Sequence, residues 1–136
     1  MPGADYQDAH DRHWDDAELL LRSDRLANAD HLYGLSAECG LKAVMRSQGA
    51  LPMKGDAPER KDHKVHIDRF WDTYSAYTSG RASLRLGDVN PFNDWSVAQR
   101  YMHRDRVTTE SVQTHRRGAK QVRDLVRSAR WDGSIR

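Results

Sequence analysis

Ala29-Asp30-His31-Leu32-Tyr33-Gly34-Leu35-Ser36-Ala37-Glu38-Cys39-Gly40-Leu41-Lys42-Ala43-Val44-Met45 is the stretch that decides the fold. It reads as a helix that is apolar almost all the way round, with Glu38 near its centre. Such a helix is too short for a bilayer and needs partners on every face, so it belongs inside a helical bundle. A carboxylate in that setting is costly unless it is paired. Lys42, one turn on, is the local partner. Glycine in a helix interior costs about 1 kcal/mol. Gly34 and Gly40 therefore predict close approach of neighbouring helices.

Reading outward, Asp8 to Arg25 carries Trp14, Ala17, Leu20 and Leu21 at helical spacing, with acids massed in its first turns where the helix dipole favours them. Asn28 or Asp30 is placed to start the central helix, and Ser47-Gln48-Gly49 to end it. Residues 49–61, with two prolines and two glycines, read as a loop. His63, Ile67, Phe70, Tyr74 and Tyr77 step by four and three, which is one face of a third helix. Residues 78–93 form a second loop. Asn93 or Asp94 is expected to cap a short fourth helix running to about Tyr101. After a break at 102–107, Thr108-Thr109-Glu110 opens the last helix, about 109–131. Val112, His115, Ala119, Val122, Val126 and Ala129 make its apolar stripe. Arg116, Lys120, Arg123, Arg127 and Arg130 make a basic stripe roughly 90° away. No strand-like alternation persists, and no internal repeat is visible. The expectation is one all-α, up-and-down bundle of four to five helices over residues 8–131, with 1–7 and 132–136 as flexible termini.

The 136 residues suffice for one domain with a real core. Hydrophobic content is 38% and mean hydropathy −0.90, so the surface must be rich in charge. Cys39 is the single cysteine, which excludes an intrachain disulfide and a cysteine-based zinc site. On the apolar helix it reads as a small buried hydrophobe. The N-terminus shows no basic region followed by an apolar run, so a cytoplasmic protein without a membrane partner is expected. The net charge of +2 hides an asymmetry. Residues 1–40 hold nine acids and three bases, whereas residues 100–136 hold ten bases and four acids. Either the first and last helices lie side by side and complement each other, or the basic end meets phosphate.

The Ala-Glu-x-x-Leu-Lys-Ala run at Ala37–Ala43, His66-Ile67 with Phe70, and Arg100-Tyr101 together resemble the HEPN superfamily. That superfamily is found in prokaryotic defence systems, toxin–antitoxin pairs and nucleotidyltransferase partners. The resemblance covers about residues 8–130. It implies an α-helical bundle, a homodimer, and either a metal-independent ribonuclease or a module that binds nucleotides or a partner protein. Ribonucleases of this superfamily carry an Arg followed after four to six residues by a His in the last helical region. Here Arg100 is followed by His103 after only two. Arg25 to His31 and Arg60 to His66 have five intervening residues but lie elsewhere. This departure points to binding of RNA or a nucleotide without cleavage, or with weak cleavage.

Arg100-Tyr101-Met102-His103-Arg104-Asp105-Arg106 is the best candidate for chemistry. Metal-free RNA cleavage needs a base for the 2′-OH proton and a cation for the phosphate. His103, with an ordinary pKa of about 6.5, suits the first task. Arg100, Arg104 and Arg106 suit the second through forked hydrogen bonding, and Tyr101 offers a ring for stacking. The competing reading has Arg100 paired with Glu38 or another helix carboxylate and Tyr101 packed. Glu38, Lys42 and His66 are expected as buried structural polar residues. The basic stripe of the last helix is either a solvated face or a groove or dimer contact. His10, His13, His63 and His66 lack a ligand spacing, so no metal is expected. Trp14, Trp71, Trp95 and Trp131 read as core or seam residues. No Gly-rich phosphate loop, nucleophile elbow or Ser/His/Asp set is present, and no cofactor is implied.

Overall fold

The Ala-rich stretch lies in helix α2 (Leu26–Ser47), the central element of the molecule. The computed structural model describes residues 3–135. These form an all-α fold with four α-helices, joined by short 3₁₀ turns and one two-residue hairpin at Met53–Lys54 and Ala57–Pro58. Ala29, Tyr33, Ala37, Leu41 and Val44 of α2 are all fully buried. Helix α1 (Tyr6–Arg22) runs antiparallel to α2: His10 meets Ser36, and Glu18 meets Tyr33. Trp14 packs edge-on against Tyr33, with ring centroids 5.5 Å apart. Helix α3 (Ile67–Tyr77) adds Ile67, Phe70, Trp71 and Tyr74 to the core. Helix α4 (Thr109–Trp131) buries Val112, His115, Ala119, Val122, Val126 and Ala129, the stripe read from its spacing. No helix among the described residues is long and apolar enough to cross a membrane.

The two glycines of α2 are used as expected. A Cβ on Gly34 would fall inside the Trp95 indole. One on Gly40 would come within 2.5 Å of Val122 and 2.8 Å of His10. Local start signals also hold. Asp5 caps α1 by accepting from the Asp8 amide at 3.0 Å, and Thr108 caps α4 by accepting from Ser111 at 3.1 Å.

Five readings need correction. Helix α2 starts at Leu26, so Asp30 is no cap; it lies inside the helix with 0% exposure. The third helix begins at Ile67 with His66 as N-cap, and His63 sits in a preceding 3₁₀ turn, Lys61–His63. The expected fourth helix is a 3₁₀ helix, Val97–Tyr101, capped by Ser96. Its expected caps fail because Asp94 is turned inward to His115 while Trp95 is seated on Gly34. Trp131 is 93% exposed. It ends α4 just before Gly133 takes a left-handed φ of 81°, and Ile135 folds back, its amide bonding Ala129 O at 3.1 Å. Ile135 thus fills the core position next to Ala129, and Trp131 is left outside. The tail expected to be flexible is folded as far as Ile135. Met1, Pro2 and Arg136 lie outside the described residues.

Candidate functional site

The segment from Asn90 to Arg106 forms an irregular arm across one end of α2 and α4. Its inner side chains are anchors. Phe92 stacks on His115, with centroids 5.4 Å apart. The Trp95 indole N–H donates to the Asp30 carbonyl at 3.1 Å, and its ring stacks on His31 at 5.7 Å. Asn90 bonds the Asp68 carbonyl at 2.8 Å. Gln99 completes a capping box with Ser96 and also donates its amide N–H to the Asp30 carboxylate.

The outer side chains of the arm are the sequence-predicted site. Tyr101 is 79% exposed, and residues 100–106 lie at the surface throughout. The Arg100 guanidinium lies 4.9 Å from the Tyr101 ring centroid. Arg100, Arg104 and Arg106 have no carboxylate within 4 Å among the described residues, so Arg100 is not the partner of Glu38. Arg104, together with Arg25, Leu26, Ala27 and Met102, lines a pocket of about 460 Å³ where the arm faces the α1–α2 turn. The structure therefore brings Arg100 and Tyr101 together and leaves Arg104 and Arg106 on the same exposed turn.

His103 does not fit the base role expected of it. Its Nδ1 accepts the Asp105 backbone N–H at 3.1 Å, as the cap of a 3₁₀ turn, Arg104–Arg106. With that lone pair occupied, the neutral ring carries its proton on Nε2 and has no free acceptor for a substrate proton.

Glu38 is the centre of a second polar group. Lys42 Nζ donates to Glu38 Oε2 at 2.9 Å and to the Val65 carbonyl at 3.2 Å. His66 Nδ1 donates to Glu38 Oε1 at 3.0 Å. Burial alone would raise the Glu38 pKa, but His66 and Lys42 outweigh it and hold the carboxyl below its ordinary range. The bond to Glu38 in turn raises the pKa of His66. Lys42 is buried as expected, but the Glu38 side chain keeps 12% exposure and the His66 side chain is 46% exposed. It caps the solvent end of α3, so its bond to Glu38 fixes the ring without covering it. His10 is a neutral core residue: it is fully buried, donates Nδ1–H to the Ser36 carbonyl at 2.8 Å, and burial lowers its pKa. Among the described residues no group of three or more His, Cys, Asp or Glu is placed to hold a metal ion. Burial pushes the Cys39 thiol up to about 12, which leaves it unreactive at neutral pH.

Sequence reasoning missed a third group. His115, 1% exposed, sits between two carboxylates. Its Nδ1 is 2.5 Å from Asp30 Oδ1, and its Nε2 is 2.7 Å from Asp94 Oδ1. Carboxylates only accept, so both nitrogens donate and the ring is a buried imidazolium. Burial opposes the charge, yet Asp30 and Asp94 together raise the pKa above its ordinary 6.5. A signal existed: His115 and Asp30 are both polar residues on apolar faces, and such groups are kept only when they satisfy each other.

Four of the five cations in the basic stripe of α4 have carboxylate partners; Arg127 is exposed with no carboxylate within 4 Å among the described residues. Arg116 makes a two-pronged bond to Glu18 of α1 at 2.7 and 3.1 Å, and Arg130 makes one to Asp11 at 3.0 and 3.1 Å. Arg123 also reaches Asp11, at 3.5 Å. Lys120 pairs with Asp124 on its own helix at 2.7 Å. Comparison of the chain with family models, with curated proteins and with solved structures returned no match.

Proposed function

We propose that this chain is a HEPN-like module that binds RNA through phosphate contacts on the arm, without strong catalysis, in a prokaryotic defence or toxin–antitoxin setting. One observation carries the reading. On α4, Arg116, Arg123 and Arg130 are paired with carboxylates of α1 and Lys120 with Asp124, whereas among the described residues Arg100, Arg104 and Arg106 of the arm have no carboxylate within 4 Å, and Arg100 lies against an exposed Tyr101. Unpaired guanidiniums release counterions when they meet phosphate, and an aromatic ring adds stacking to a base. The superfamily resemblance supplies the setting; the buried Ala37–Ala43 run with its Glu38–Lys42 pair is consistent with it. The test is fluorescence anisotropy of labelled single-stranded RNA across a salt series. Affinity should fall steeply with salt, by a log–log slope of about −0.7 per phosphate contacted. Arg100→Ala with Arg104→Ala should weaken binding and flatten that slope. Unchanged affinity in the double variant would overturn the site.

A specific observation favours a second reading, a metal-independent endoribonuclease. Glu38 orients His66 so that Nδ1 donates inward, and the half-exposed ring presents Nε2 to solvent. In that tautomer Nε2 can take the proton of a ribose 2′-OH while its oxygen attacks the adjacent phosphorus. The P–O5′ bond breaks, leaving a 2′,3′-cyclic phosphate, and the departing 5′-oxygen takes a proton from water to become a hydroxyl. His31, stacked on Trp95 of the arm, has its pKa lowered first by burial and then by the positive charges of Arg100 and His66. Cleavage in EDTA that disappears in His66→Gln and persists in His103→Ala would establish this reading. No cleavage by the wild type would end it.

A further inference from the structure

The arm that carries Arg100 and Tyr101 holds no α-helix, and its backbone bonds are those of short 3₁₀ turns, such as Gln99 to Ser96 and Met102 to Gln99. It is a chain of turns fastened at a few points: Phe92 on His115, Asp94 to His115, Trp95 on Gly34 and Asp30, and Gln99 to Asp30. All four meet at Asp30 or His115. Asp30 from α2 accepts from His115, whose other nitrogen donates to Asp94 of the arm. One imidazolium of α4 therefore joins α2 to the arm.

We propose that His115 is the positioning residue of the cationic arm: doubly protonated it clamps Asp94 against Asp30, and on losing one proton it releases Asp94 and frees the arm. The proposal rests on the RNA reading for its ligand and on geometry alone for its mechanics. The direction of release follows from exposure. Asp30 has 0% exposure and no water to replace its partner, so the remaining ring proton stays on Nδ1. Asp94 is two-thirds exposed and can be rehydrated once Nε2 is bare. Deprotonated Nε2 then has its lone pair facing a carboxylate, which repels it.

Other charges do not substitute for this contact. From α2, the group facing the ring is Asp30; from the arm it is Asp94, with Phe92 and the amide of Gln99 neutral. On the α1 side Glu18 is engaged by Arg116 and by the Tyr33 hydroxyl. Arg100 of the arm and Asp30 both act on His31, which lies on the far face of Trp95. The Asp30–Asp94 pair therefore has one cation between it, and that cation titrates.

The experiment uses the full chain between pH 6 and 9.5. Hydrogen–deuterium exchange of peptides spanning 92–101, corrected for intrinsic rates, reports whether the arm is held. Anisotropy with single-stranded RNA is read in the same series. The wild type should lose arm protection and RNA affinity together as pH rises. If the arm is then held a tenth of the time, apparent affinity falls about tenfold. His115→Gln could simply unfold, so two milder variants carry the test. Asp94→Asn keeps an acceptor without the charge and should move the midpoint to lower pH. Asp94→Ala should leave the arm loose and RNA binding weak at every pH. An arm midpoint unmoved in Asp94→Asn, or full protection in Asp94→Ala, would overturn the proposal. Protection that follows the titration with no RNA bound at any pH upholds the positioning role and overturns the RNA reading. RNA binding that ignores pH, with flat exchange, does the reverse.

Discussion

The α4 stripe and the arm are both basic, and their sequences give no reason to prefer one as a ligand surface. They differ in what lies opposite. Arg116, Arg123 and Arg130 face Glu18 and Asp11 on α1, and the guanidiniums of Arg116 and Arg123 also cover Trp14 at 5.6 and 5.4 Å. Their charge is spent inside the fold. Arg100, Arg104 and Arg106 face solvent. The two surfaces should therefore part company under mutation, the stripe answering in stability and the arm in binding.

The largest expected effect breaks the arm from below. Gly34→Ala would drive a methyl into the Trp95 indole, and that ring is seated on α2 against both Gly34 and His31. Overpacking of this kind costs about 1–3 kcal/mol. Urea unfolding should show the loss, and RNA affinity should fall with it because Trp95 anchors the segment that ends at Tyr101. A variant as stable as the wild type would mean that the arm is not seated on α2 as described.

Arg116→Ala comes next. It removes two charge-assisted bonds to Glu18, a carboxyl held below its ordinary pKa first by that arginine and then by Tyr33. Both side chains are partly exposed, so solvent screens the pair and the expected cost is about 1–2 kcal/mol in thermal or urea unfolding. RNA affinity should not change. A loss of affinity at constant stability would put the stripe in the ligand surface and dissolve the contrast.

How far the sequence showed this contrast depends on the range over which the information is stored. Thr108 as cap, the Val112–Ala129 stripe and the 67–77 face are local patterns, and each was legible from neighbours within one or two turns. Glu38 with Lys42 was legible for the same reason. The partners of the stripe were legible only as a charge imbalance between the chain ends. Asp30, Asp94 and His115 are separated by long stretches of sequence and meet only because α2 and α4 pack together. Asp30 was misread as a cap because acids are common at helix starts. The fourth helix was misread because Asn93 and Asp94 look like caps, and nothing local says that Asp94 is claimed by a histidine 21 residues on. His103 was attractive by type; only the geometry shows its acceptor nitrogen in use.

A third prediction concerns pH and the Glu38 group, which belongs to neither surface. The sign follows from two opposite shifts. Glu38 is held below its ordinary 4.5, so its contribution is present above that value and fades as pH falls through the lower folded one. His66 is raised above 6.5, so its contribution is present below that value and fades as pH rises through the folded one. Glu38→Gln should cost about 1 kcal/mol between these limits, since two bonds to charged donors are weakened. The cost should shrink as pH falls through the lowered folded value, where the wild-type carboxyl also takes up its proton. Urea midpoints in a series from pH 6 downward give the comparison, and an equal loss throughout would show that packing and not charge sets the effect.

The smallest expected effect is the sharpest test of the contrast. Arg106→Ala removes an exposed cation that has no carboxylate within 4 Å among the described residues, on a short 3₁₀ turn that makes its backbone bonds without the side chain. Substitutions of this kind change stability by less than about 0.5 kcal/mol. A guanidinium that contacts one phosphate should, however, lower the salt slope of single-stranded RNA binding by about 0.7 when it is lost. Arg130→Ala is the matched control: it also removes one arginine and one unit of charge, but takes with it the two-pronged bond to Asp11. If net charge alone governed binding, the two variants would flatten the salt slope equally. If position governs it, only Arg106→Ala flattens the slope and only Arg130→Ala lowers the melting temperature. That crossed outcome can come only from a fold that neutralises one basic surface and leaves the other free.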